Sequence, residues 1–321
     1  MLFRSRGGRV SGFGTVAAFM DHYRAFRAKE RDLERWLRES PVDVVVTDSE
    51  YATGPARRRG IPVIGLNNAD LVVSECLGDR PMPRGIHGHF WLVEYPDYLL
   101  HRARCDAVIS PAPLARRPRH PRIRPVGLIL RRAVRSVVPD ASSPFPSPNA
   151  IRSVVFMLSG SNFASRVNFG DEPLPFHVDV VGIEGTNRPG VTYHGRLMNN
   201  LELLRRGDAL VVNGGFSAVS EAIALNKPTF VIPVPGHAEQ AINARMVADL
   251  GRGYVTTASE IVPLLRRLAS GSEWTGLAAR VGPVGMDGAS EGAALIREWI
   301  SKRVGRPGGG RPREGSATGA A

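Results

Sequence analysis

One stretch of the chain, Asp208–Tyr254, constrains the fold more than any other. It opens with a short apolar run, Ala209–Val212, which ends at the turn Asn213-Gly214-Gly215. A run this short and this apolar is typical of a strand that is buried on both faces of a parallel sheet. A helix with Ser217 as its N-cap follows, and then a second buried strand, Thr229–Val234, leads into another helix. This order predicts an α/β unit whose turns lie at the sheet edge where such folds bind ligands.

The two turns of this unit carry chemistry suited to a phosphate and a sugar. Gly214 and Gly215 let the backbone approach a ligand closely, and the following helix presents N–H groups at its positive end. One helical turn after Ser217, Glu221 is placed to accept hydrogen bonds from a ribose diol. The second turn ends in polar residues suited to sugar hydroxyls, namely His237, Glu239 and Gln240. The alternative is an α/β unit in which the glycines only make a tight turn.

The order of residues in this stretch resembles the C-terminal, donor-binding half of the GT-B glycosyltransferases. The resemblance rests on Gly214-Gly215-Phe216-Ser217-Ala218-Val219-Ser220-Glu221-Ala222, then Pro228, Glu239-Gln240 and Asn243-Ala244. The stretch is similar to the lipid-intermediate N-acetylglucosaminyltransferases of cell-wall synthesis and to glucuronosyl-type transferases. Many members have a histidine where this chain has Asn213, a departure that would weaken a phosphate contact without changing the fold.

The resemblance implies a role for each part of the motif. Glu221 would hold the ribose of a nucleotide sugar, the Gly-Gly turn and the helix N-terminus its diphosphate, and Glu239-Gln240 its sugar. A glycine and serine loop after the strand Ser153–Leu158 would also approach the phosphates, with a plain turn as the alternative. The implied donor-binding residues are Ser159, Gly160, Ser161, Asn213, Gly214, Gly215, Ser217, Glu221, His237, Glu239, Gln240 and Asn243.

The N-terminal half predicts a second α/β domain, with strands at Val42–Val46 and Ile61–Leu66. Asp48 and Glu50 follow the first strand, and the pair resembles an Asp-x-Glu stretch at the same place in some bacterial members. A metal-independent inverting transferase needs a base to take the proton from the acceptor hydroxyl. Asp48 and Glu50 are the candidates for that base. The alternative is helix capping by Asp48 and a solvated Glu50.

Two further segments of the N-terminal half carry predictions. Residues 16–39 have apolar residues at helical spacing and predict a long helix that ends before Pro41. Residues 75–98 are rich in glycine and proline and predict an irregular segment. Its histidines, His87 and His89, could reach a cleft between domains or be inert surface groups.

We therefore expect the α/β class, with two Rossmann-like parallel-sheet domains facing a cleft, which is the GT-B fold. The first domain, residues 1–138, would lack its initial strands, because nothing before Val42 has the pattern of the family's first strand and glycine-rich loop. A misassigned start codon or truncated gene and a natural domain reduction would both explain this. A linker, residues 139–150, would lead to the donor domain, residues 151–304, and a disordered tail, residues 305–321.

The net charge of +12 lies in two segments. Residues 116–135 contain eight arginines and no acid, and residues 302–321 carry the remaining excess of +4. The basic residues are not interleaved with aromatic residues on a known module, so we expect no specific nucleic-acid partner. Residues 116–135, beside the apolar run Val126–Leu130, could contact an anionic membrane, and a solvated basic surface is the alternative.

Two cysteines, Cys76 and Cys105, cannot form a disulfide framework and have no metal-ligand spacing, which fits a reducing cytoplasm. No apolar run approaches the roughly 20 residues that span a bilayer, and the N-terminus lacks the apolar core of an export signal. We expect a cytoplasmic protein, with peripheral contact at the inner face of the cell membrane as a further option.

The sequence thus predicts a glycosyltransferase of the hexosyltransferase type. It would move a sugar from a nucleotide sugar, with UDP as the expected nucleotide, to a lipid-linked or small-molecule hydroxyl acceptor. We expect no metal and no cofactor beyond the nucleotide-sugar co-substrate. Two alternatives stay open: a non-catalytic or truncated GT-B relative that binds nucleotide sugar or a partner subunit, and a sugar-nucleotide epimerase of the same fold.

Overall fold

A computed structural model describes residues 5–6, 9–10, 12–139, 151–158, 167–270 and 284–304. The described residues fall into two compact units. The first unit draws on Met1–Asn67, Leu100–Ile109 and Ser290–Ala321, and the second on Asn68–Leu99 and Ser110–Ala289. The predicted linker and tail lie almost entirely outside the described residues, so the proposed domain boundaries stay a prediction.

The strands are β1 (Ser5–Arg6), β2 (Arg9–Val10), β3 (Val45–Thr47), β4 (Val63–Leu66), β5 (Ala107–Pro111), β6 (Ile123–Val126), β7 (Ser153–Met157), β8 (His177–Val181), β9 (Val191–Tyr193), β10 (Ala209–Val212), β11 (Thr229–Val231) and β12 (Gly253–Val255). The helices are α1 (Gly12–Glu39), α2 (Gly54–Arg58), α3 (Ala69–Cys76), α4 (His87–His89), α5 (Tyr95–Arg104), α6 (Arg132–Arg135), α7 (Leu201–Arg206), α8 (Phe216–Ala224), α9 (Ala238–Asp249), α10 (Ile261–Ala269) and α11 (Gly288–Val304). A π-helical turn, Phe90–Glu94, joins α4 to α5.

Two sheets of parallel strands organise the chain. One has the order β3-β4-β5-β6, with β3, β4 and β5 paired in parallel. The other has the order β12-β11-β10-β7-β8-β9, and every pairing in it is parallel. Two sheets of parallel strands with helices confirm the predicted α/β class.

The core of the larger sheet has apolar groups on both faces, as expected for parallel strands. All four residues of β10 are buried, which confirms the prediction made from the run Ala209–Val212. Val211 belongs to one apolar cluster, with Phe156 and Phe230. Leu210 and Val212 face the other side, where residues of α8 and α9 pack. The sheet therefore holds the carboxyl ends of β10 and β11 firmly beside each other.

The N-terminus of α8 differs from the prediction by two residues. Gly215, with an extended backbone, is the N-cap and Phe216 is the first helical residue, so Ser217 is an exposed residue within the first turn. The cause is Gly214, whose φ of 84° turns the chain before Ser217 is reached. The prediction that Ser217 caps the helix was wrong.

The segment predicted to be irregular is helical in its second half. The chain is helical from His87 through α4, the π-helical turn and α5, so His87 and His89 lie on a helix rather than a loop. Most of the glycines and prolines precede His87. Pro96 lies in the first turn of α5, and its missing N–H cannot bond to the carbonyl of Leu92, which fits the widened π-helical geometry there.

In the first unit, the long predicted helix, α1, packs against α2. Arg59, at the end of α2, donates to the Leu37 carbonyl and pairs with Glu34, each at 2.6 Å. Leu37 is buried, whereas Trp36 stays half exposed. Across the described residues, no helix combines the length and the apolar character needed to cross a membrane.

Gly253 is where the larger sheet tolerates a side chain least. A Cβ at Gly253 would lie 1.6 Å from the carbonyl oxygen of Thr229 on the paired strand. We expect Gly253→Ala to lower the free energy of unfolding by about 3 kcal/mol, measured by urea denaturation. Gly88→Ala is the control, because a Cβ there meets no atom within 4 Å. Equal stability of the two variants would contradict the close strand approach.

Candidate functional site

The candidate site begins where β10 ends, at the two glycines. A Cβ at Gly214 would come within 3.0 Å of the Gln240 carbonyl oxygen, so this position packs directly against α9. A Cβ at Gly215 would meet nothing within 4 Å. Gly214 is therefore needed for packing, whereas Gly215 borders open space that a ligand can enter.

The N-terminus of α8 points its first N–H groups toward this space. In the described part of the chain, no side chain caps these groups at Gly215. The N-terminal N–H groups of a helix and its macrodipole favour an anion, and phosphate is the common biological case. This turn can therefore bind a phosphate group through the backbone alone.

A hydrogen-bonded network joins the Gly-Gly turn to α9. Asn243 is fully buried, and its Nδ2 donates to the Gly214 carbonyl at 2.9 Å. The Asn243 side chain also bonds to Glu239, one helical turn earlier. Gln240 accepts from the backbone N–H of Val234 at 2.9 Å, which holds the turn that precedes α9. Three predicted donor-binding residues are thus brought together with Gly214.

Glu239 is a partly buried acid that accepts hydrogen bonds from neutral donors. Burial raises its pKa, while hydrogen bonds from Asn68 and Asn243 act in the opposite direction. Burial is the largest effect, and the nearby charges of Asp97 and His89 act in opposite directions as smaller ones. A sugar hydroxyl that donates to Glu239 would supply a further hydrogen bond to this carboxyl group.

The N-terminus of α9, unlike that of α8, is capped by side chains of the chain itself. His237 is the N-cap, and its Nδ1 accepts from the Gln240 N–H at 3.5 Å. His89 Nδ1 accepts from the Ala238 N–H at 3.4 Å, and the Glu94 carboxyl accepts from the backbone of Glu239. Sequence reasoning named His237 but missed the roles of His89 and Glu94, whose partners lie far away along the chain.

This capping cluster is desolvated, and its groups are shifted toward their neutral forms. Burial lowers the pKa of His237, and burial together with His237 lowers the pKa of His89. Burial, reinforced by the charge of Glu239, raises the pKa of Glu94 to about 7. Neutral imidazoles can accept the α9 N–H groups, which charged ones cannot.

The same three side chains have the composition of a metal site. His89, Glu94 and His237 place one ligand atom each within 4.8 Å of the others. Two imidazoles and a carboxylate suit zinc or ferrous iron. In this cluster, however, the Nδ1 atoms of both histidines accept N–H groups of α9, which explains their convergence without an ion.

Glu221 lies on α8 and is buried in an ion pair with Arg131. Arg131 Nε contacts Glu221 Oε1, and Nη2 donates to Oε2 at 2.7 Å. Nη2 also donates to Asn200 Oδ1 at 2.8 Å. The structure thus places the predicted ribose-binding acid one helical turn into α8, with its carboxylate oriented by a guanidinium fork.

Other predicted residues have local roles or fall outside the description. Asn213 is buried, and its Nδ2 lies 3.5 Å from the Ile232 carbonyl that it donates to. Ser159, Gly160 and Ser161 lie outside the described residues. Their assignment to the donor site stays a prediction.

Asp48 and Glu50, the predicted bases, lie in a bonded turn of the first unit. Glu50 pairs with Lys29 and also accepts the Ala52 N–H at 3.0 Å. Asp48 accepts from the hydroxyl of Ser49 at 3.3 Å. The N-cap of α2 is Thr53, so Asp48 does not cap that helix. Their catalytic role stays a prediction.

The basic segment 116–135 is partly neutralised within the second unit. Three of its arginines form ion pairs with acids elsewhere in the chain: Arg116 with Asp70, Arg131 with Glu221, and Arg135 with Asp287. Arg117, Arg119, Arg122 and Arg124 are exposed. The segment is therefore a mixture of structural arginines and solvent-facing ones.

Comparison with known proteins identifies the fold. Residues 191–266, which include the Gly-Gly turn and α9, match the family described as Glycosyl transferase family 1. The structure is similar to that of CalG4, the calicheamicin glycosyltransferase, with a TM-score of 0.57 and 21% identity, covering 95% of this chain and 86% of that one. The chain has the GT-B fold.

A second GT-B structure supports the assignment. UGT2 of Phytolacca americana, complexed with UDP-2fluoro-glucose and pterostilbene, has a TM-score of 0.54 and 18% identity, covering 90% of this chain and 77% of that one. An uncharacterized glycosyltransferase of Methanosarcina acetivorans is 27% identical over 125 residues, which are 36% of this chain and 32% of the relative. The chain spans about a third of that curated relative. The predicted resemblance to GT-B glycosyltransferases is confirmed.

Glu94 makes the stability of the GT-B chain depend on pH. Its pKa is about 7 in the folded protein and 4.5 ordinarily, so its contribution to stability is full below pH 4.5 and lost as the pH rises through 7. The wild type loses stability as Glu94 ionises, whereas a glutamine at this position does not ionise. As the pH rises from 5 to 8, we therefore expect the free energy of unfolding of Glu94→Gln to increase by about 2 kcal/mol relative to that of the wild type. Urea denaturation at both pH values measures this difference.

The control for this prediction is Glu172→Gln, which removes an exposed acid that precedes β8. We expect its stability difference from the wild type to stay constant between pH 5 and pH 8. A constant difference for Glu94→Gln as well would contradict the raised pKa of Glu94.

Proposed function

We propose that this chain is a glycosyltransferase that moves a sugar from a nucleotide sugar to a hydroxyl acceptor. The observation that carries the proposal is the N-terminus of α8 beside Gly215, which has no side-chain cap in the described chain and is joined through Asn243 to the partly buried acid Glu239. A diphosphate suits the first feature and a sugar hydroxyl suits the second. The family match over residues 191–266 supports this pairing.

The donor is proposed to lie along the carboxyl edge of the larger sheet. Its diphosphate would meet the α8 N-terminus, its ribose Glu221, and its sugar Glu239 and Gln240. We propose UDP as the nucleotide, and the UDP-2fluoro-glucose complex of UGT2 supports that choice. Ser159, Gly160, Ser161, Asn213, Ser217 and His237 complete the proposed donor site.

The proposed transfer uses no metal. The leaving diphosphate gains charge as the glycosidic bond to the nucleotide breaks, and in this proposal the α8 N–H groups would stabilise that charge. A base takes the proton from the acceptor hydroxyl, and Asp48 and Glu50 stay the proposed candidates. The engagement of His89 and His237 by α9 N–H groups supports a reaction without a bound ion.

The acceptor is proposed to be a lipid-linked molecule or a small molecule that carries a hydroxyl group. The pterostilbene in the UGT2 complex supports a small molecule. The exposed arginines of the segment 116–135 support peripheral contact with an anionic membrane, where a lipid-linked acceptor would be found. We propose a cytoplasmic location, supported by two buried cysteines that form no disulfide in the described chain.

Binding of the donor can be tested by thermal unfolding. At a concentration of UDP-glucose or UDP-N-acetylglucosamine about 100 times its Kd, we expect stabilisation of about 2.7 kcal/mol and a rise in Tm of about 5 °C. Glu221→Gln should abolish most of the rise, because the amide cannot accept from both ribose hydroxyls. Glu172→Gln, at the amino edge of β8, should keep it.

The outcomes of this experiment separate the proposals. No rise in Tm with any nucleotide sugar would contradict donor binding, and an equal rise in both variants would contradict the role of Glu221. Donor binding with no hydrolysis or transfer in the presence of acceptors would favour a non-catalytic GT-B relative.

Metal independence has its own test. We expect transfer or slow donor hydrolysis, measured by release of UDP, to be unchanged within about twofold after treatment with EDTA. Metal added back after dialysis should have no further effect. A loss of activity that Mg²⁺ or Mn²⁺ restores would contradict the proposal.

A further inference from the structure

The ion pair between Arg131 and Glu221 has a geometry that surface ion pairs seldom have. Two atoms of the guanidinium, Nε and Nη2, contact the two oxygens of one carboxylate. Glu221 is 7% exposed, whereas the side chain of Arg131 is 43% exposed. The contact thus lies at the edge of the core, with one side open to solvent.

Packing on both sides of Arg131 fixes its backbone beside α8. Leu128 and Leu130, just before it, belong to the apolar cluster that contains Val219 and Ile223 of α8. Val134, just after it, packs with Ala222 in another cluster. The arginine is therefore held between two anchored segments, and its reach to Glu221 follows from the fold.

A second contact restrains the guanidinium further. Nη2 donates to Asn200 Oδ1 at 2.8 Å, and Asn200 is the N-cap of α7. Asn200 Nδ2 in turn lies 3.4 Å from Met157 Sδ, at the end of β7. Because Arg131 bonds to two residues on different helices, rotation of its side chain would break both contacts.

A bidentate guanidinium leaves a carboxylate with part of its capacity to accept. An ionised carboxylate offers about four acceptor positions, and the fork uses two of them. The remaining positions can accept from the two hydroxyls of a ribose diol. The fork also removes the rotation of the carboxylate, whose ordering would otherwise weaken ligand binding.

We propose that Arg131 is a positioning residue that orients Glu221 for the ribose diol and so lets this chain distinguish ribose from 2′-deoxyribose. The proposal rests on the proposed function, in which Glu221 binds the ribose of the donor. Arg131 acts through Glu221 and does not itself contact the sugar that is transferred.

The test compares UDP with 2′-deoxy-UDP by isothermal titration calorimetry. The wild type should bind UDP at least about tenfold more tightly, because the deoxy ligand lacks one hydrogen bond to a charged acceptor. Arg131→Gln should reduce this ratio of affinities to about threefold or less, because it weakens the binding of UDP. The affinity for 2′-deoxy-UDP should change by less than about twofold. Arg131→Lys keeps the charge but loses the fork, and should recover less than half of the discrimination.

Arg132→Gln is the matched control, since it removes the charge of the neighbouring exposed arginine. It should keep the wild-type ratio. Circular dichroism and Tm of each variant verify that it is folded before titration. The ratio of two affinities is insensitive to a fraction of unfolded protein, which lowers both alike.

Three outcomes would overturn the inference. An equal loss of affinity for both ligands in Arg131→Gln would show that Arg131 acts on the phosphates or only through its general positive charge. Tighter UDP binding in that variant would show that Arg131 competes with the ligand for Glu221. An unchanged ratio would show that Glu221 needs no partner. Failure of the wild type to bind UDP would instead reject the proposed function, on which the inference depends.

Discussion

The bond from Asn243 to the Gly214 carbonyl is the interaction on which the site depends. It joins the turn after β10 to the helix after β11, and therefore links the two places at which the motif carries polar groups. Gly214 permits this hydrogen bond, because its positive φ and lack of a side chain allow α9 to approach closely. Without it, the α8 N-terminus and Glu239 would be positioned independently.

The helices α8 and α9 begin at the same edge of the larger sheet, and their N-termini differ in whether side chains cap them. The N-terminus of α9 is occupied by His89, Glu94 and His237 of the chain itself. The N-terminus of α8 has no side-chain cap among the described residues and borders the space beside Gly215. Since both helix ends favour anions, filling one of them directs an anionic ligand to the other.

Local sequence patterns predicted much of this arrangement, and contacts between distant residues explain what they missed. The buried run Ala209–Val212 and the two glycines were sufficient to predict the strand, the turn and the helix after them. Ser217 was assigned as the cap because serine is a common N-cap, but the conformation of Gly214 starts the helix earlier. The pairing of Arg131 with Glu221, 90 residues apart, leaves no local pattern to find.

Glu221 and Glu239 lie in different electrostatic surroundings, and the two acids are therefore suited to different ligand groups. Glu221 faces a guanidinium, which stays charged at any ordinary pH, so it can act as a fixed acceptor. Glu239 has burial and neutral amide donors, and its pKa is raised. A group of that kind can accept from a sugar hydroxyl when ionised and donate to one when protonated. In the proposed function, the ribose would therefore contact the rigid acid, Glu221, and the transferred sugar would contact the adaptable one, Glu239.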